Sequence, residues 1–158
     1  MDAITFFLNG PFNQYAPTPF SVDGRAFASA EQYMMWSKAV LFGDAITADR
    51  ILASRYSHDH QALGRQVSPF DSDRWDMEAP EVVYRGNRGK FFADSQLAAM
   101  LLATGDSLLA YASEDLRWGI GVMEGDPRSL DPTRWAGRNW LGEALTRVRK
   151  DLKSQKPL

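Results

Sequence analysis

The order of apolar and polar positions divides the chain into short strands and longer helices. Ile4 to Leu8 is a brief apolar, aromatic run and reads as a strand. Pro11, Pro17 and Pro19 make the stretch after it loop-like. Phe20, Val22 and Phe27 flank Asp23-Gly24, the signature of a hairpin turn. Ser29 to Gln32 has the form of a capping box, with Ser29 at N-cap and Gln32 at N3. The helix it opens runs to about Phe42 and stops at Gly43. Asp44 to Ser54 predicts a second helix, with Ile46, Ile51 and Leu52 on its apolar side, and His60 to Val67 a shorter one. Trp75 opens a helical region that Pro80 interrupts or restarts, and Val82, Val83 and Phe91 follow. Asp94 or Ser95 caps a helix to Ala103. Leu108 to Ala112 reads as a strand, Trp118-Gly-Ile-Gly as a turn or loop, and Asp126 to Thr133 as a polar loop. Trp140 to Leu152 is helical through Leu141, Leu145, Val148 and Leu152, and the tail 153–158 is expected to fray. The fold class is α+β: a single compact α-rich domain over 1–158 with a small β-sheet.

Composition narrows what such a domain does. Its length of 158 residues and apolar fraction of 44% suffice for a sizeable core, so the body is not disordered. A net charge of −2 argues against broad, non-specific nucleic-acid binding, which needs many cations. It leaves room for a local basic pocket, and basic residues cluster at Arg85 to Lys90 and Arg147 to Lys153. The absence of cysteine excludes disulfides, thiolate nucleophiles and sulfur-ligated zinc. No apolar run approaches the roughly 20 residues that span a bilayer. MDAITFF lacks the basic start and long apolar core of a signal peptide. The expectation is a soluble, cytoplasmic protein.

Among residues that carry chemistry, Glu31 and Lys38 come first. Seven residues make nearly two helical turns, so both side chains share one side, about 10 Å apart at Cα. A carboxylate beside an amine over Met34 and Met35 is a workable acid/base or imine-forming pair. The same spacing also describes an ordinary exposed ion pair. Five tryptophans offer faces for stacking a base, although core packing explains most of them. Trp118 stands apart because Gly119 and Gly121 follow it and would let backbone approach a flat ligand. Asp115, three residues earlier, is either a site acid on a loop or a turn former. Arg65, and Asn87 with Lys90 in RGNRGK, suit phosphate or ribose hydroxyls, or else a solvated basic face. RGNRGK lacks the spacing of a phosphate loop. His58 and His60 sit in a polar SHDH stretch without further metal ligands, so no metal site is expected.

Taken in order, the segments resemble a known family. PFNQYAPTPFSVDGRAFASAEQYMMWSKAVLFGD is similar to the opening block of the NADAR (YbiA-like) N-glycosidase family. ALGRQVSPFDSDRW, GNRGKF, LLATGDSLL, DLRWGIGV and WAGRNWLGEALTRVR resemble its later blocks, so the likeness spans roughly residues 4 to 152. The ordered set is specific where a single block such as LGEAL is not. The resemblance implies an α-rich α+β fold and cleavage of a ribose C1–amine bond without metal or cofactor. The implied substrates are small and nucleotide-like, such as a ribosylaminouracil phosphate of riboflavin metabolism, or ADP-ribosylated guanine in nucleic acid. It implies Lys38 as imine-forming nucleophile or proton donor, Glu31 as proton shuttle, and Asp115 as a group that binds ribose or positions water. Trp118 and Trp75 would stack on the base, and Arg65, Asn87, Lys90, Gly119 and Asn139 would hold the substrate. Two departures stand out. Family members commonly carry a Glu where this chain has Ala110, with Glu114 nearby, and FNQYAP replaces an aliphatic-Ser-Asn/Gln-aromatic stretch. Ala110 motivates an alternative, a non-catalytic binder of ADP-ribose or a nucleotide. A second alternative is an N-glycosidase of a specialised pathway.

Overall fold

The computed structural model describes residues 3–155. In chain order its elements are β1 (Ile4–Phe7), β2 (Phe20–Val22), β3 (Arg25–Phe27), α1 (Ala30–Leu41), α2 (Ala45–Ala53), α3 (Ser57–Gly64), α4 (Ser72–Phe92), α5 (Ser95–Leu102), β4 (Leu108–Tyr111) and α6 (Trp140–Ser154). The class is α+β as the pattern predicts, with two two-stranded sheets among the described residues. Backbone packing groups the chain into Gln14–Ala93 and a second unit that joins Met1–Asn13 to Asp94–Leu158.

In the Gln14–Ala93 unit, β2 and β3 form an antiparallel hairpin that pairs Phe20 with Phe27 and Val22 with Arg25. Asp23 and Gly24 both take positive φ, 51° and 79°, as a two-residue hairpin turn requires. The hairpin leads into α1, which packs against α2, α3 and α4. Ser29 caps α1 by accepting from the Gln32 N–H at 3.1 Å. The reciprocal half of the expected box is displaced by one residue, since Gln32 Oε1 accepts from the Ala28 N–H at 2.6 Å. The Gln32 amide nitrogen then donates to the Ile51 and Ser54 carbonyls and ties the start of α1 to the end of α2.

Two helices differ from the sequence reading. The one predicted over His60–Val67 begins at Ser57, because the Tyr56 carbonyl accepts from the Asp59 and His60 N–H groups and starts the turn inside SHDH. His60 is therefore a core residue, fully buried with Nε2 at 2.9 Å from the Ser54 carbonyl. Pro80 does not break the helix after Trp75: α4 runs unbroken for 21 residues. A proline here costs one N–H bond, roughly 3 kcal/mol. The buried face through Trp75, Ala79, Val82, Val83, Gly86, Asn87, Lys90 and Phe91 outweighs that loss.

In the other unit β1 and β4 pair in parallel, from Ile4–Leu108 to Phe7–Tyr111. α6 packs on β4 and on α5. Its buried stripe is Leu141, Ala144, Leu145 and Val148. Arg149 lies under it and donates to Thr104 Oγ1 and the Ser107 carbonyl, both at 2.8 Å. The predicted polar loop 126–133 is two 3-10 turns, Pro127–Leu130 and Pro132–Arg134, each capped by the Asp before its proline. α6 continues to Ser154, past the point where the sequence predicts fraying, and Lys153 bonds Asp106 and the Gly105 carbonyl. The end of the expected tail, 156–158, lies outside the described residues.

Candidate active site

The N-terminal half of α1 is buried on every side: Ala30 through Met35 are all buried. Such a segment shows no amphipathic stripe, so spacing could not distinguish a core acid from a surface one. Glu31 is 2% exposed. No hydrogen bond reaches its carboxyl group among the described residues. Its backbone N–H, by contrast, is satisfied by the Gln14 carbonyl at 3.0 Å. Burial pushes the carboxyl up from its ordinary 4.5 to about 7, and the nearby charges of Lys38 and Arg65 offset only part of that. This is not the exposed ion pair that the spacing also allowed. It is a core carboxyl group between two cations, poised to gain or lose a proton near neutral pH.

Lys38, on the last turn of α1, donates to the Gly64 carbonyl at 2.8 Å. That carbonyl belongs to the end of α3, where the helix dipole favours a cation. The Lys38 amine also sits 4.6 Å from the Phe70 ring centroid and 5.9 Å from that of Trp75. A Cβ at Gly64 would meet the Met35 side chain, which would have to shift. Trp75 is buried in the first turn of α4, and Arg65, an exposed residue, caps the end of α3. The structure thus gathers Glu31, Lys38, Arg65 and Trp75. Sequence reasoning missed Phe70 and Gln14. Phe70 carried no signal; Gln14 lay within the FNQYAP departure.

Asn87 and Lys90 sit differently from the expectation that they hold ligand. Asn87 is 0% exposed and Lys90 1%, because positions 83, 87 and 90 form the inner stripe of α4 while Arg85 and Arg88 face outward. Asn87 Nδ2 donates to the Val83 carbonyl at 2.9 Å and to Gln14 Oε1 at 2.7 Å. Burial pushes the Lys90 amine down to about 7. Both residues lie in the interior, not on a solvent-facing basic surface.

The remaining candidates belong to the other unit. Asp115 is exposed, and its Oδ1 accepts from the Arg117 and Trp118 N–H groups, both at 2.8 Å. Its carboxylate shapes the loop that presents Trp118. That indole is half-buried and meets Trp140 edge-on at 5.2 Å. A Cβ on Gly119 would lie 2.8 Å from the Ser113 carbonyl. The Gly119 carbonyl accepts from the Asn139 N–H at 2.9 Å. The close approach that the sequence reserved for a flat ligand is thus made by the chain's own backbone. Asn139 likewise spends its side chain on the fold, Oδ1 accepting from the Tyr111 N–H and Nδ2 donating to the Leu109 carbonyl. Its φ of 52° turns the chain from the glycine loop into α6. Ala110, at the position of the commonly present Glu, is 0% exposed against Ile120 and Val122, with Ile4, Phe6 and Trp135 around it. Glu114 lies exposed beyond the end of β4.

No helix among the described residues is long and apolar enough to cross a membrane. Known proteins agree with the fold. An N-glycosidase, R617 of Acanthamoeba polyphaga mimivirus, is 36% identical over 146 residues, covering 89% of this chain and 86% of its own. The riboflavin biosynthesis protein VVA0006 of Vibrio vulnificus is 29% identical over 150 residues, 94% of this chain but 37% of its own length. The NMR structure of the E. coli protein YbiA superposes with a TM-score of 0.79 at 27% identity, covering 96% of this chain and 86% of that one. The sequence profile of the NADAR domain matches residues 6–153, and the chain belongs to that family.

Proposed function

We propose that this protein is an N-glycosidase that hydrolyses the bond between ribose C1 and an exocyclic amine of a nucleobase-type substrate. The observation that carries this reading is Glu31, a carboxyl group with no hydrogen-bond partner among the described residues, held near neutrality by burial, with Lys38 and Arg65 beside it. Relatives named as N-glycosidases support the reaction class. The substrate is ADP-ribosylated guanine in nucleic acid or a ribosylaminouracil phosphate. The name of the Vibrio relative supports the second of these.

In the protonated form Glu31 donates its proton to the leaving amine as the C1–N bond breaks. In the ionised form it takes a proton from the water that adds to C1. Such a substrate is a glycosylamine and opens to an imine at C1. The Lys38 amine adds to that carbon, the base amine departs, and water hydrolyses the lysine imine to release the sugar aldehyde. Direct departure through an oxocarbenium ion uses the same acid without a lysine adduct. In the Gln14–Ala93 unit, Trp75 stacks on the base and Arg65 holds phosphate or ribose; in the other unit, Asp115 sets the loop that carries Trp118, itself a stacking face. Borohydride treatment during turnover separates the two routes. A reduced adduct on Lys38 supports the imine route, and an active enzyme without one leaves the oxocarbenium route.

Ala110 favours a second reading, because its enclosure by Ile120 and Val122 supplies no acid at that position. A protein that binds ADP-ribose tightly and never releases base fits that reading. Release that disappears in Lys38→Ala dismisses it.

A further inference from the structure

The first turn of α1 contains an acid, Glu31, whose own amide and the two that follow are engaged elsewhere. Helix N-termini ordinarily stabilise a carboxylate through free amides and the dipole. Here the amides of residues 31 to 33 are already used. The Glu31 N–H goes to the Gln14 carbonyl, the Gln32 N–H to Ser29 Oγ, and the Tyr33 N–H to the Ser29 carbonyl. The bond from Glu31 is the one that arrives from outside the helix and its cap.

Gln14 is itself fixed by a chain of forced orientations. The Val83 carbonyl can only accept, so Asn87 must turn its NH2 group toward it. The second proton of that NH2 then points at Gln14, whose amide must present Oε1 to it. Asn87 Oδ1 is left without a partner among the described residues, in a side chain that is fully buried. An unpaired buried acceptor is costly. The arrangement therefore does not serve Asn87's own hydrogen bonding; its effect is to hold Gln14. Among the described residues, the Gln14 Nε2 has a 4.0 Å contact with the Met34 sulfur.

We propose that Gln14 is a positioning residue for Glu31, clamped by Asn87 so that its backbone carbonyl occupies the α1 amide that would otherwise serve the Glu31 carboxylate. The proposal rests on the reading of Glu31 as the acid of the reaction. The charged groups that bear on Glu31 are Lys38 from its own helix and Arg65 from the end of α3. When the clamp is lost, the Gln14 backbone relaxes, the Glu31 N–H is released and water reaches the carboxyl group. The ionised form gains and the proton is held less tightly.

The test is a carbon-13 carboxyl NMR titration of Glu31 in the full chain, which needs no substrate and so stands apart from the fate of the glycosidase reading. Gln14→Met keeps the length of the side chain and removes the acceptor. Asn87→Leu removes the donor. Gln14→Glu keeps an oxygen for Asn87 Nδ2. The expected result is a midpoint lowered by about one pH unit, a tenfold change in acidity, in Gln14→Met and Asn87→Leu. Gln14→Glu keeps the midpoint at or above that of the parent. A parent midpoint in either of the first two variants overturns the proposal, as does an equal fall in Gln14→Glu. If Gln14→Met fails to fold, the comparison of Asn87→Leu with Gln14→Glu decides alone.

Discussion

Replacing Glu31 by Gln removes an ionisable group from the core while preserving its shape. The consequence for stability follows from the sign of its perturbation. The folded carboxyl holds its proton up to about pH 7, whereas in the unfolded chain it ionises near 4.5. Between those values the folded state binds more protons than the unfolded one, so raising the pH favours unfolding. The interval from 4.5 to about 7, at roughly 1.4 kcal/mol per pH unit, amounts to about 3 kcal/mol of destabilisation, fully present above pH 7. Glu31→Gln cannot ionise and escapes it. Urea denaturation of the parent and the variant at pH 8 should show the variant more stable by about 3 kcal/mol, and the gap should shrink below about 1 kcal/mol near pH 4.5. Catalysis should move the other way, with turnover falling by roughly 10²- to 10⁴-fold. A variant no more stable than the parent at pH 8, or a gap that does not depend on pH, would refute the reasoning.

The remaining predictions concern the rest of the fold and the chemistry. Asn139→Ala removes one buried and one part-buried hydrogen bond from a residue at φ 52° and should cost about 2–4 kcal/mol by chemical denaturation. Ala110→Glu places a carboxyl against Ile120 and Val122, and it should lower stability at pH 8 by about 3–5 kcal/mol without raising turnover. An increase in turnover would show that this position reaches the substrate. Dialysis against EDTA should leave the turnover rate unchanged, because each step proposed for Glu31 and Lys38 moves a proton or an amine. Activity restored by one added metal would contradict that scheme.

The sequence made much of this legible because its local signals were consistent. Ser29 and Asp94 cap α1 and α5 as their positions predict, the second helix starts where expected with Asp44 as its cap, and Asp23-Gly24 makes the hairpin turn. What stayed hidden depends on contacts made far along the chain. Glu31 reads as a surface charge until β3, α2, α3 and α4 are seen around α1. Asn87 and Lys90 lie in a charged string, RGNRGK, and only the register set by Val82 and Val83 turns them inward while Arg85 and Arg88 stay out. Asn139 and Gly119 stand in blocks that resemble the family's, which drew both into the substrate site. Their geometry shows a local reason for each: Asn139 links β4 to α6, and Gly119 lets two backbone segments meet. Pro80 illustrates the opposite failure, a local breaker overridden by the buried face of a 21-residue helix.

The most direct test of the central claim is a release assay. It uses an oligonucleotide bearing ADP-ribosyl guanine and, in parallel, a ribosylaminouracil phosphate, each with the parent protein, Glu31→Gln and Lys38→Ala. The account predicts release of free base or base amine from at least one substrate by the parent. That activity should fall above about pH 7 as Glu31 loses its proton. It should drop at least about a hundredfold in Glu31→Gln. Undiminished release by Glu31→Gln, or tight binding of both substrates by the parent with no release from either, would contradict it.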